Sequence, residues 1–202
     1  MTWILLVRHG QTAWNVTERF RGREDLPLNE AGLAQAERTA ERIARDWNPA
    51  AVYSGPLSRA MQTAQAIGFR CGLTVQLHAD LIDIDYGRWQ GLTPEEAARR
   101  FPRRARRWFL GSRWARPPRG ESLGAVVRRC LQAVRGIASR HPDQTVVLVG
   151  HTVVNRALIL GALRLRPSSF WRLGQEPCAV NVLETDGRSF VLRSLNDTCH
   201  LL

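Results

Sequence analysis

Two histidines stand at the ends of the two most apolar runs in the chain. Ile4-Leu5-Leu6-Val7 is followed at once by Arg8-His9-Gly10, and Val146-Val147-Leu148-Val149 by Gly150-His151. Runs of that length with a turn signal behind them read as buried strands. In open α/β sheets, chemistry collects at the carboxyl ends of strands. Arg59 lies just beyond a third short strand, Ala50 to Ser54, in the first turn of a helix, where free N–H groups also favour anions. If the three strands expose their ends on one side of a parallel sheet, two histidines and two arginines converge on one point. Guanidinium forks can grip the oxygens of a phosphate. A neutral imidazole nitrogen is available as a nucleophile near neutral pH. Phosphoryl transfer needs both, together with a proton for the leaving oxygen. A strand-end histidine alone is more often structural, so the weight rests on the whole set.

The elements that must position this set follow from periodicity. Asn29 caps a helix with Leu33, Ala36, Ala40, Ile43, Ala44 and Trp47 at helical spacing, closed by Pro49. Ser58 starts a second helix whose inner face is Met61, Ala64, Ile67 and Cys71, with Gly72 at its end. Val75 to Leu77 is a further strand, and Asp80 to Gly91 is irregular. Thr93-Pro94-Glu95-Glu96 is a capping box with proline at the first helical position. Ser122 caps a helix faced by Val126, Val127, Cys130, Val134 and Ile137, and another helix runs from Val153 to Leu163. Two β-rich segments, Ala179 to Glu184 and Ser189 to Ser194, flank the hairpin signal Asp186-Gly187. The expected fold is α/β: a three-layer αβα sandwich on a mostly parallel, mixed sheet. One domain spans residues 1–202, with a short helical cap inserted at about 92–120.

All 29 basic residues are arginine, and the net charge is +11. That charge suits anionic ligands or loose contact with nucleic acid. Nine of the arginines fall between Arg99 and Arg119 beside Trp108, Phe109 and Trp114, with no acid among them. One reading is an electrostatic funnel or a nucleic-acid patch with Trp108 and Trp114 as stacking platforms. The favoured reading is a cap whose aromatics pack down while most arginines face water. Cys71, Cys130, Cys178 and Cys199 form no C-x-x-C pair, which gives no support to a metal site and suits a reducing cytoplasm. No basic leader opens the chain, and no apolar stretch is long enough to cross a bilayer.

Arg8-His9-Gly10-Gln11-Thr12, with Asn15 after it, resembles the signature of the histidine phosphatase superfamily, which includes the phosphoglycerate-mutase-like enzymes. Ser58-Arg59-Ala60-Met61-Gln62-Thr63-Ala64 is similar to the family's second arginine segment, and Gly150-His151 with Asn155-Arg156-Ala157 to its second histidine segment. Leu81 to Gly91 occupies the place of its acid segment. Gly120-Glu121-Ser122 and the terminal stretch from Asn196 to Leu201 fit as well, so the resemblance covers nearly the whole chain. It implies that His9 becomes phosphorylated while Arg8, Arg59 and His151 hold the phosphate and Asn15 lines the pocket. The acid position, commonly glutamate, is Asp83 here. Asp85 is the rival, because on a strand both would point the same way. Gly22 and Glu121 are further candidates for the substrate pocket. Arg21 stands where glutamine is common, which hints at a second anionic group on the substrate.

The activity implied is hydrolysis of small-molecule phosphate monoesters, with no metal or cofactor and no specific nucleic acid or membrane partner. A homodimer is left open. The rivals are a phosphoglycerate mutase; a narrower phosphatase acting on α-ribazole phosphate or a sugar phosphate; and, least favoured, an inactive anion- or nucleic-acid-binding protein. Mutases in this family carry a longer cap that keeps water from the intermediate, so the short cap favours hydrolysis.

Overall fold

The computed structural model describes residues 1–112 and 115–202. Six strands form one sheet in the order β3-β2-β4-β1-β5-β6. They are β1 (Thr2–Arg8), β2 (Pro49–Ser54), β3 (Val75–Leu77), β4 (Thr145–Gly150), β5 (Val180–Thr185) and β6 (Phe190–Asp197). β1, β2, β3 and β4 run parallel, and the hairpin β5–β6 adds two antiparallel strands beside β1. The helices are α1 (Ala13–Val16), α2 (Glu30–Asp46), α3 (Ser58–Cys71), α4 (Pro94–Arg100), α5 (Pro102–Phe109), α6 (Leu123–Arg140) and α7 (Thr152–Ala162).

Alternation along the strands builds the three layers. Ile4 and Leu6 of β1 join Val126, Val134, Val154 and Leu158 of α6 and α7 in one core. Leu5 and Val7, pointing the other way, join Ala40, Ile43, Ala60 and Ile67 of α2 and α3 in a second. All four strand side chains are fully buried. Each is worth about 1.5–3 kcal/mol, so β1 anchors both layers at once. Register then sets the site. Arg8 pairs with Gly150 and Ser54 with Val149, so the carboxyl ends of β1, β4 and β2 finish side by side.

Several sequence expectations need correction. Leu33 faces solvent at 47% exposure. Helix α2 packs through small residues instead, with Gly32, Ala36, Thr39, Ala40 and Ile43 inward. Met61, Cys71 and Val127 are only partly covered, whereas Ala60 and Thr63 of α3 are buried. The reason for the tight face is a close backbone approach. A β-carbon on Gly32 would lie 2.1 Å from the Gln11 carbonyl oxygen, and one on Gly10 would lie 2.5 Å from that of Gly32. The turn that carries His9 is therefore pressed against the start of α2. Gly32→Ala is expected to destabilise the fold by at least about 1–3 kcal/mol, the usual cost of overpacking. Chemical denaturation measures this, and an unchanged midpoint would contradict the close approach.

In segment 92–120, α4 opens on the expected capping box. The Glu96 carboxylate accepts from Thr93 N–H at 2.9 Å, and Thr93 Oγ1 accepts from Glu96 N–H at 3.3 Å. Ala105 and Trp108 of α5 are buried, while Arg103, Arg104, Arg106 and Arg107 face solvent. Trp108 is not a stacking platform: it packs edge-on against Tyr86, Trp89 and Phe170. Trp114 lies outside the described residues. Among those residues, no helix is long and apolar enough to cross a membrane.

Candidate active site

His9 follows β1 directly, and its main-chain N–H donates to the Gly150 carbonyl at 3.0 Å. Its ring is fully buried. Nδ1 lies 2.7 Å from the Gly10 carbonyl oxygen, while Nε2 has no partner. A carbonyl only accepts, so Nδ1 carries the proton and the lone pair belongs to Nε2. Burial, followed by the charge of Arg59, His151 and Arg8, holds the His9 pKa well below the ordinary histidine value. The ring is thus neutral and has a free nitrogen, as a nucleophile requires. His151, at the end of β4, is equally buried, with its ring centroid 5.2 Å from that of His9. Burial and then Arg59 push its pKa down as well.

Arg59 enters from the first turn of α3 and is fully buried. It donates from Nη1 to the Glu24 carbonyl at 2.8 Å and from Nη2 to the Gly22 carbonyl at 2.7 Å. Gly22 has a φ of +52°, and a β-carbon there would press on Ile84 O and Tyr86 at 3.0 Å. Gly22 therefore serves the site through its carbonyl, which orients Arg59. Arg8 is tied to the Gln175 carbonyl. Burial, with Arg21 next, lowers its pKa. Gln175 in turn belongs to a buried amide network. Its Nε2 donates to Asn181 Oδ1 at 2.7 Å, and its Oε1 accepts from Asn155 Nδ2 at 3.1 Å. Asn15 spends its Oδ1 on Thr12 N–H and Oγ–H, both at 2.9 Å, and also borders the cleft.

Asp83 is buried between Arg59 and His151. Its Oδ2 is 3.1 Å from Arg59 Nη2 and 3.7 Å from His151 Nδ1, and its Oδ1 accepts from Ile84 N–H at 2.9 Å. Desolvation outweighs the pull of Arg59, so the pKa is raised above the ordinary carboxylate value. Asp85 does not join it. Its carboxylate accepts from Gly87 N–H at 2.7 Å in a turn. The segment is irregular between two short 3-10 turns, so the strand alternation that made Asp85 a rival does not apply.

Glu121 is placed elsewhere too. Its carboxylate pairs with Arg129, at 2.8 Å from Nε and 3.0 Å from Nη2, and Arg129 reaches the Asp80 and Asp83 carbonyls. The pair clamps the backbone that carries Asp83. A positioning role predicts that Glu121→Gln lowers kcat about tenfold with little change in KM, since small misplacements are costly. A raised KM at constant kcat would instead restore Glu121 as a substrate contact. Steady-state kinetics separates the two.

Unpartnered buried polar atoms gather here: Arg8 Nε, His9 Nε2, Arg59 Nε and both nitrogens of His151. Each such group costs about 1–3 kcal/mol when left without a partner. A tetrahedral oxyanion would offer acceptors to Arg8 Nε–H, Arg59 Nε–H and the one N–H of neutral His151, and would bring its central atom to the lone pair of His9 Nε2. A cleft of about 370 Å³ opens over Arg8 and Asp83, with Arg19, Arg21 and Arg156 also on its walls. Arg21 donates to the Trp14 carbonyl at 3.1 Å.

The family model described as histidine phosphatase superfamily (branch 1) matches residues 4–198. This chain belongs to that superfamily. It is 35% identical over 201 residues to Phosphoserine phosphatase 1 of Hydrogenobacter thermophilus, covering all of this chain and 95% of that one. It is 37% identical to Phosphoglycerate mutase-like protein 4 of Arabidopsis thaliana, over 98% of this chain and 86% of that one. Among solved structures, phosphoserine phosphatase of Entamoeba histolytica in complex with 3-phosphoglyceric acid superposes over the full length of both chains, with a TM-score of 0.91 and 28% identity. As a member of this superfamily, the chain places its two histidine segments and its second arginine segment together, as their resemblance to the family's motifs requires.

Sequence reading missed Gln175, Arg129 and Trp171. Gln175 carries no local signal, because its contacts are to residues far along the chain. Arg129 falls outside the apolar face of the helix that Ser122 caps, and nothing in its local sequence points to Asp80 or Asp83. Trp171 sits in a 3-10 turn, Pro167–Arg172, that no periodicity marks.

Proposed function

We propose that the protein hydrolyses small-molecule phosphate monoesters through a phosphohistidine on His9. One observation carries this: the Nδ1 contact to Gly10 leaves His9 Nε2 free in a buried cluster with two guanidiniums and an acid of raised pKa. Nε2 attacks phosphorus, and the bond to the leaving oxygen breaks as protonated Asp83 gives that oxygen its proton. Arg8, Arg59 and His151 hold the phosphoryl oxygens, and the Gly10 carbonyl steadies the charge that appears on the ring. Ionised Asp83 then takes a proton from water as the water oxygen attacks phosphorus. Orthophosphate leaves, and His9 and Asp83 return to their starting forms. Segment 92–120 acts as a short cap. It leaves the cleft open to water, which favours hydrolysis over return of the phosphoryl group to substrate.

The arginines on the cleft walls favour a substrate with a second anionic group, such as a carboxylate. A relative named for phosphoserine and a structural neighbour holding 3-phosphoglyceric acid both support that class. The test is product analysis with phosphoserine and 3-phosphoglycerate. Release of inorganic phosphate supports the reading, and isomerised phosphoglycerate without phosphate release would replace it with a mutase.

A further inference from the structure

Segment 92–120 carries a hollow that the catalytic cluster does not use. It encloses about 340 Å³, and four arginines line it: Arg103, Arg104 and Arg107 of α5, and Arg116 from the stretch that follows. Among the described residues, no carboxylate, aromatic ring or aliphatic side chain joins them, and none of the four borders the cleft over Arg8 and Asp83. All four are exposed and make no ion pair among the described residues. The walls are nonetheless held in place. Ala105 and Trp108 anchor α5 by another face. Arg104 Nη1 donates to the Arg116 carbonyl at 3.3 Å, and Arg116 Nε donates to the Gly120 carbonyl at 2.6 Å. Gly120 is itself wedged against the Asp85 carbonyl oxygen, which a β-carbon would approach to 2.4 Å. The remaining N–H groups of the four guanidiniums have no protein acceptor among the described residues.

This arrangement works against the stability of the free protein. Arg103 and Arg104 stand in the first turn of α5, where the helix dipole favours acids, and no acid is there. Arg107 follows them at spacings of four and three residues, at which like charges on a helix repel. A solvated face accounts for exposed cations, but not for four of them gathered round one hollow without a counter-charge. A bound anion relieves the repulsion, and each guanidinium offers a planar fork of donors that matches phosphate oxygens. The lining selects further. A nucleic acid strand finds no ring on which a base could stack. An acidic peptide finds no apolar wall for its side chains. A short chain of phosphates, carrying several charges and nothing but oxygens at its surface, meets all four forks.

We propose that Arg103, Arg104, Arg107 and Arg116 form a binding site for an oligophosphate chain, apart from the catalytic cleft. The site does not rest on the phosphatase reading. The probe is inorganic triphosphate, titrated calorimetrically against His9→Ala protein so that turnover does not consume it. In that background, Arg103→Gln with Arg107→Gln is expected to weaken binding about tenfold, the sum of two exposed charge contacts. Glutamine keeps the helix propensity, and circular dichroism checks the fold. Arg107→Gln alone repeats the test with one exposed side chain changed, and should weaken binding about threefold. Arg19→Gln, on the cleft wall, should leave binding unchanged. Unchanged binding in the double variant would overturn the site. So would a loss confined to Arg19→Gln, which would put the probe in the cleft. Sulfate bound as tightly as triphosphate would overturn it too, as mere attraction of charge. ATP or a short DNA duplex bound more tightly than triphosphate would overturn it in favour of a nucleotide or nucleic-acid partner. A separate readout is kcat/KM on small phosphate esters with His9 intact. The double variant should match wild type, and a tenfold loss would return these arginines to the substrate and overturn the separate site.

Discussion

Replacing His9 by alanine is expected to lower kcat on every phosphate ester by about 10⁵-fold, as loss of a nucleophile does elsewhere. The buried setting makes the loss that large. No other neutral imidazole nitrogen stands in the same place, because His151 reaches the cluster from β4, with its centroid 5.2 Å away. KM should change little, since Arg8, Arg59 and His151 still hold the phosphate. The fold should survive, because His9 is tied to its neighbours chiefly through its backbone, donating to Gly150 and accepting from Cys178. Steady-state kinetics with a circular dichroism control checks this. A kcat within tenfold of wild type would remove His9 from the chemistry.

The second large effect belongs to Asp83, and it depends on the leaving group. Asp83→Asn keeps the shape but removes the proton. On alkyl phosphates, whose alkoxide leaves poorly, kcat should fall by about 10²–10⁴-fold, the usual contribution of a positioned acid. On p-nitrophenyl phosphate, whose phenolate leaves without help, the loss should be much smaller. The pH profile carries the same signature. Asp83 must be protonated to act, and burial raises its pKa above the ordinary 3.8. Turnover of alkyl esters should therefore decline as pH rises through that raised value, and the Asn variant should lack this limb. His9 works in the opposite sense. It must be neutral, and its pKa lies well below 6.5, so lowering the pH through 6.5 should not switch off the nucleophile. Equal losses on alkyl and aryl esters would show that Asp83 only positions its neighbours.

These residues were legible to different degrees, for physical reasons. Apolar runs ending in Arg8-His9 and Gly150-His151 announced both buried strands, because a strand covered on two faces has no polar alternation to confuse it. Arg59 was legible from its place just after a strand, and the parallel register then brings all three ends level. Leu33 misled because helical periodicity marks a face only to within about a residue, and the close approach at Gly32 turned that face. The choice between Asp83 and Asp85 depended on whether the segment is a strand, and tertiary packing rather than propensity decides that. Glu121 had a visible motif but not a visible partner. Arg129 lies eight residues on, and only the fold shows that their pair grips the backbone at Asp83. Gln175 and Trp171 are positioned by contacts across the sheet and with segment 92–120, which no local pattern encodes.

The covalent intermediate offers the most direct test. Enzyme mixed with a radiolabelled phosphate ester and quenched within a turnover should carry label on His9, stable in base and lost in acid, as a phosphoramidate is. The label should decay as fast as inorganic phosphate appears. Phosphate released with no labelled protein, or label on any residue other than His9, would contradict the mechanism at its first step.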